Sequence, residues 1–192
     1  MDTLADLLDT VWACKECPGL APCRKLDRAA CGTLRAKTVI VTENPDMQSV
    51  ENREYMSNLD GRKIRLALRE MGLKLEDIAY LTYTVKCTPL DRKANEDEAL
   101  RCKHFLRSEL DIIKPKTVLC LGAQATKRVF QIYGLQYTNM PSMHNENGFL
   151  PQKVKGVTIF PLMSPSQAPK FMDFVLYRMH LKKAVKISTK AR

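Results

Sequence analysis

Four short apolar runs, rich in β-branched residues and separated by stretches of helical character, constrain this chain more than any other feature. They are Thr38-Val-Ile-Val-Thr42, Ala79-Tyr-Leu-Thr-Tyr-Thr-Val85, Thr117-Val-Leu-Cys-Leu121 and Val157-Thr-Ile-Phe160. Runs this short and this apolar read as strands covered on both faces. Between them, residues 62–71 look helical and close at Gly72. Asn95-Glu-Asp-Glu98 opens a helix with acids in its first turn, running to Ile113, before Lys114-Pro115. Gly122-Ala123 turns the third strand into a helix reaching Gln131, and Pro169 is placed to open a last helix through about Ala184. Strands alternating with helices predict an α/β fold: one domain, with a four-stranded, largely parallel sheet and helices on both faces. Residues 134–152 are loop-rich and carry no assignment, and the basic tail from Lys182 to Arg192 is expected to fray. In such a sheet ligands sit at the carboxyl ends of the strands, so the loops after Thr42, Val85, Leu121 and Phe160 matter most.

Ahead of the sheet, Leu4, Leu7, Leu8, Val11 and Trp12 recur at helical spacing behind Thr3, a suitable N-cap. This helix runs into Cys14-Lys-Glu-Cys17 and stops at Pro18-Gly19. An irregular basic connection follows to about residue 36. The 192 residues carry 31 Lys and Arg against 21 acids, a net charge of +10. A surplus of that size favours a polyanionic partner through counterion release. No apolar run has the length of a membrane span, and the acidic start Met-Asp-Thr-Leu-Ala-Asp is no basic signal segment, so a cytoplasmic protein that engages no membrane is expected.

Seven cysteines in such a chain are poor material for a disulfide framework. Cys120 lies within an apolar strand and reads as core. Cys14 and Cys17 are the one pair at close metal-ligand spacing, which zinc, a redox dithiol or an iron–sulfur cluster can each use. A redox dithiol belongs at a strand-to-helix turn, whereas this pair ends a helix. Cys87 ends the second strand, and Cys102 lies in the helix that follows it.

The stretch Tyr83-Thr-Val-Lys-Cys-Thr-Pro-Leu-Asp-Arg-Lys-Ala-Asn-Glu-Asp-Glu-Ala-Leu-Arg-Cys-Lys-His-Phe-Leu106 resembles the iron–sulfur (family 4) uracil-DNA glycosylases. There a strand ends in "VKC", and an acidic helix start carries a further cysteine before "FL". Ile113-Lys-Pro-Lys-Thr-Val-Leu-Cys-Leu-Gly122 is similar to the "IxPxVIVxLG" segment of that family, and the N-terminal helix with CxxCP matches too. The likeness spans most of residues 4–180 and is weak over 134–156. It implies a [4Fe–4S] cluster on Cys14, Cys17, Cys87 and Cys102 that ties an N-terminal segment of about residues 1–36 to the sheet, with zinc as the alternative. Cys23 and Cys31 fall outside this ligand set, although Cys23 could replace one of its members.

The resemblance also implies a pocket, and there the chain departs from the pattern. Thr42-Glu-Asn-Pro-Asp46 puts Glu43 on the water-organising acid of a "GEAPG" loop and loses both glycines. The same loop resembles the "GINPG" of mismatch-specific uracil and thymine glycosylases, which puts Asn44 on their water-positioning asparagine. Met56, with Tyr55 beside it, falls at the base-stacking aromatic of "PFVGRAG", and Tyr83 replaces the base-reading asparagine of "TNxVKC". A phenol lacks an amide's paired donor and acceptor. Met163-Ser-Pro-Ser166 stands for "HPS", with Ser164 in the histidine position and Ser166 retained. His104 and His144 are out of register to replace that histidine. Glu43, Asn44 and Ser164 are therefore the candidate catalytic residues, and Tyr55, Met56 and Tyr83 the candidate base pocket. Ser166, Lys86, Arg62 and Lys170 are candidate DNA contacts, with Arg53, Lys63, Arg92 and Lys127 as further basic residues near the loops. Two functions are expected from this set. One is a glycosylase that cleaves the N-glycosidic bond of uracil or a related damaged or modified base. The other is a catalytically degenerate relative that serves as a DNA-binding or replication-associated module. Either is expected to be monomeric, with single- or double-stranded DNA and replication or repair proteins as partners; a pure protein adaptor is the weakest alternative.

Overall fold

The computed structural model describes residues 3–20, 32–33, 36–89, 92–145, 148–168 and 174–190. Its centre is a five-stranded sheet built from β1 (Thr38–Thr42), β2 (Tyr80–Tyr83), β3 (Thr117–Leu121), β6 (Gln152–Val154) and β7 (Val157–Leu162), in the order β2-β1-β3-β7-β6. The four strands expected from the sequence are all present and mutually parallel, with Val39 beside Tyr80 and Val118, and Val118 beside Ile159. The fifth strand corrects the expectation of four. It folds back antiparallel on β7 through Lys155 and Gly156, whose φ values of 49° and 79° suit a tight two-residue hairpin turn. β4 (His144–Asn145) and β5 (Gly148–Phe149) form a separate small hairpin within the segment that carried no assignment.

Successive strand residues face opposite layers. Ile40, Leu81, Leu119, Phe160 and Leu162 pack against α3 (Leu59–Arg69), α4 (Leu75–Ile78) and α7 (Phe174–Lys190). Val39, Val41, Tyr80, Val118, Cys120 and Ile159 pack against α1 (Leu4–Ala13), α5 (Glu96–Ile113) and α6 (Ala123–Tyr133). Cys120 is wholly buried there, the core role its setting predicted. Both faces of the sheet are thus covered, as a parallel sheet requires. A short α2 (Met47–Glu51) follows the β1 loop.

The helix ends follow the capping signals in the sequence. Thr3 accepts from the Asp6 amide at the head of α1. At α5, Asn95 and Glu98 form a reciprocal capping box, with bonds of 2.9 and 2.8 Å. α7 runs to Lys190, so the tail expected to fray from Lys182 is helical over most of its length; Lys182 and Arg178 both pair with Glu70, the C-cap of α3. Pro169, expected to open that helix, lies outside the described residues, as do Cys23, Cys31 and Lys170. Among the described residues no helix is long and apolar enough to cross a membrane.

Gly61, in the first turn of α3, allows a close approach: a Cβ there would stand 1.6 Å from the Met56 carbonyl oxygen. Gly61→Ala is expected to lower stability by about 3 kcal/mol, since backbone must move to admit the methyl group; a lowered urea midpoint at unchanged slope is the check.

Candidate active site and cysteine cavity

From β1 the chain moves to β2 on one side and then crosses to β3 on the other, which opens a crevice at the carboxyl ends of β1 and β3. Glu43 and Asn44 leave β1 there. Backbone bonds from Thr84 to the Thr42 carbonyl and from Val85 to the Glu43 carbonyl, both 2.9 Å, continue the β1–β2 pairing into the loop, and the Thr84 hydroxyl adds 2.7 Å to the Glu43 carbonyl. The backbone of Glu43 is therefore fixed while its half-buried side chain remains available. Burial raises the proton affinity of its carboxyl above the ordinary carboxylate range, with Lys93 opposing. The Asn44 amide nitrogen turns back onto the Pro45 carbonyl at 2.7 Å.

Ser164 leaves β7 on the far side of β3. Its Cβ and Oγ lie 3.8 Å from where a side chain on Gly122 would begin, and Gly122, at φ 91°, leads from β3 into α6. The Ser164 carbonyl accepts from the Gln167 and Ala168 amides, both at 3.0 Å, which closes the Pro-Ser loop into a turn. Ser166 donates its hydroxyl to Asp60 on α3 at 3.0 Å, and burial pushes the Asp60 carboxyl up. The loop is thus tethered to the head of α3, where Arg62 stands exposed.

The candidate base pocket holds two stacked rings. Tyr83 is buried, and its hydroxyl accepts from the Met56 amide at 3.1 Å. Tyr55 lies over it, with ring centroids 5.0 Å apart and planes 25° from parallel. Burial raises the Tyr83 phenol to about 12. Met56 is buried in the core beside α3 and takes a left-handed φ of 53°. Arg65 secures this segment: its guanidinium donates to the Tyr55 carbonyl at 2.8 Å and the Met56 carbonyl at 2.6 Å, and it pairs with Glu54 and Glu76. Tyr55 and Tyr83 are brought together as a pair; Met56 supplies backbone and core and presents no side chain to a base.

Among the candidate DNA contacts, Lys86 needs correction. Its ammonium is buried on the α5 side, donating to Glu109 Oε2 at 2.6 Å, Thr82 Oγ1 at 2.6 Å and the Tyr83 carbonyl at 2.7 Å. Glu109 also accepts from Thr82 Oγ1 at 2.7 Å and Tyr80 Oη at 3.2 Å. A lysine so enclosed meets no phosphate. Arg92 and Lys127 are engaged as well, with Glu98 and Glu96. Glu109, Asp60, Arg65 and Arg101 were not foreseen. Glu109 alone had a sequence signal, an acid seven residues after Cys102 on the apolar stripe of its helix.

Cys14, Cys17, Cys87 and Cys102 line one cavity, walled by Val11, Leu20, Val85 and Phe105. The Lys86 amide donates to Cys102 Sγ at 3.3 Å. Burial raises the thiols of Cys17 and Cys102, the latter to about 12. Among the described residues, no three His, Cys, Asp or Glu side chains gather closely enough to hold a single metal ion.

The doubly covered parallel sheet thus carries the Glu43 loop and the Ser164 loop at the carboxyl ends of its strands, where open α/β sheets bind ligands. The chain is a member of the uracil DNA glycosylase superfamily, whose family model matches residues 30–184. It is similar to the type-4 uracil-DNA glycosylase of Sulfurisphaera tokodaii, with 28% identity over 186 residues, covering 95% of this chain and 80% of that protein. The type-4 uracil-DNA glycosylase of Archaeoglobus fulgidus is 25% identical over 183 residues, covering 95% and 87%. A DNA polymerase of Bacillus phage SP01 is 26% identical over 149 residues, which are 76% of this chain and 15% of that protein.

Proposed function

We propose that the protein is a DNA glycosylase that hydrolyses the N-glycosidic bond of uracil or a related damaged or modified base. The observation that carries this reading is Glu43: a half-buried carboxyl on a fixed backbone, at the crevice where α/β sheets bind ligands. Its carboxylate would orient water towards the sugar carbon as the base departs, with Asn44 beside it. The Ser164 hydroxyl would donate to the leaving base across β3. Tyr55 offers a ring face for stacking, while Ser166, Arg62 and Lys170 would meet DNA, drawn by the net charge of +10.

The four cysteines would hold a [4Fe–4S] cluster. The donor set fits: four sulfurs and apolar walls around one cavity, with a backbone N–H directed at one sulfur. Zinc, which four thiolates can also hold, is the alternative. When bound, the group would tie the N-terminal segment, about residues 1–36, to the sheet of a single domain.

A second reading has its own support. Tyr83 fills, with a buried ring and an engaged hydroxyl, the place from which an amide would read a base edge. The likeness to part of a phage DNA polymerase agrees with a DNA-binding module associated with replication. Incubation of the protein with single- and double-stranded oligonucleotides carrying uracil, mismatched or modified bases separates the two. Abasic sites are the result expected of the enzyme. Salt-sensitive binding without base release would establish the module instead, and absence of both would overturn both.

A further inference from the structure

We propose that Arg101 is the latch that closes the cysteine cavity and controls access to the group held there; this rests on the cluster reading above. Arg101 lies on α5 immediately before Cys102, and its guanidinium donates to the Glu16 carbonyl at 2.9 Å, across 85 residues of sequence. Glu16 is the residue between Cys14 and Cys17 that bends the CxxC turn, so this bond joins the two halves of the donor set. Both Arg101 and Glu16 line the cavity.

The need for a latch follows from an asymmetry in burial. Cys87 and Cys102 are buried, whereas Cys14 and Cys17 are only partly so. Sheet and helix close the inner side of the cavity, and the CxxC turn closes the outer side. That turn follows a helix whose last residues are mostly exposed, and its own backbone ties are bonds from the Cys14 amide to the Val11 carbonyl at 3.3 Å and from the Leu20 amide to the Cys17 carbonyl at 2.9 Å. A planar, permanently charged donor with a long apolar stem suits the position. The stem lines the cavity, and the head bonds the Glu16 carbonyl at the exposed rim. Arg101 is thus a positioning residue for the donor set.

The test uses the full chain reconstituted anaerobically with iron and sulfide, comparing wild type, Arg101→Lys, Arg101→Met and Arg101→Ala. An iron chelator is added without oxygen, and the visible absorbance of thiolate-bound iron is followed. Arg101→Ala is expected to lose absorbance about fivefold faster than wild type. Arg101→Lys, which keeps a charged donor, should be intermediate, and Arg101→Met, which keeps only the stem, should lie close to alanine. If the alanine variant does not fold, the lysine and methionine variants decide the matter, because a role confined to packing would leave them equal. Equal rates for all variants that take up iron would overturn the latch. A wild type that takes up no iron overturns the cluster reading itself, a distinct result.

Discussion

Glu109→Ala is expected to destabilise the protein by about 3–5 kcal/mol, enough to unfold a large fraction of a marginally stable domain. The substitution removes the carboxylate from a buried group in which Lys86, Thr82 and Tyr80 all donate to it. It leaves an ammonium enclosed between α5 and the β2 loop, with only the Thr82 hydroxyl and the Tyr83 carbonyl to satisfy it. Coulomb attraction is therefore a smaller part of the loss than the cost of an unpaired buried charge. Replacing both partners together, Lys86→Met with Glu109→Leu, should recover most of the stability, because the penalty lies in the orphaned ion. Urea denaturation of the single and double variants measures this. A single-variant loss below about 1 kcal/mol would mean that water reaches Lys86 after all.

Glu43→Gln is expected to reduce base release by about 10²- to 10⁴-fold, with DNA binding retained. Glutamine keeps the shape and removes the proton-accepting group. The wild-type pH profile supplies a second reading of the same residue. Burial raises the Glu43 pKa, so the carboxylate form is lost on acidification at a higher pH than for an exposed glutamate. Activity should accordingly fall as pH drops through that raised value, and this acid limb should be missing from what activity Glu43→Gln retains. Single-turnover measurements at saturating protein separate the chemical step from binding. A variant with wild-type rates would remove Glu43 from the chemistry.

The parts of the fold legible in the sequence were those with strong local signals. β1 and β3 were bounded to the residue, because short, uninterrupted buried runs end there at turn residues. α5 announced itself through Asn95 and Glu98, whose side chains cap its first turn. β6 escaped notice because three residues with mixed polarity carry almost no periodicity, although Lys155-Gly156 was a usable hairpin signal. The C-terminal helix was cut short because a run of basic residues suggested a solvated tail, while Arg178 and Lys182 anchor it to Glu70.

The candidate site divided along similar lines. Loop positions followed from sheet topology, so Glu43, Asn44 and Ser164 fall at the strand ends as expected. Side-chain fates were less accessible. Lys86 reads as one more surface cation until Glu109, 23 residues on, is brought against it. Tyr83 and Tyr55 are 28 residues apart in sequence, and nothing local indicates that their rings stack. Such pairings depend on which faces of α3 and α5 meet the sheet.

The distribution of the cavity's cysteines along the chain has a consequence for how the protein is made. Cys14 and Cys17 are synthesised early, yet the other two donors follow only with β2 and α5. A growing chain therefore exposes half a ligand set for some 70 residues, the interval from Cys17 to Cys87, before the rest can join it. On the cluster reading, metal loading is a late event that waits for the second half of the donor set to emerge. Once made, it cross-links a loop of that length and takes about 4 kcal/mol of freedom out of the unfolded chain. Cells short of iron would then accumulate a full-length chain whose N-terminal segment is held to the body without the metal cross-link, by side-chain packing and contacts such as the Arg101 bond to Glu16.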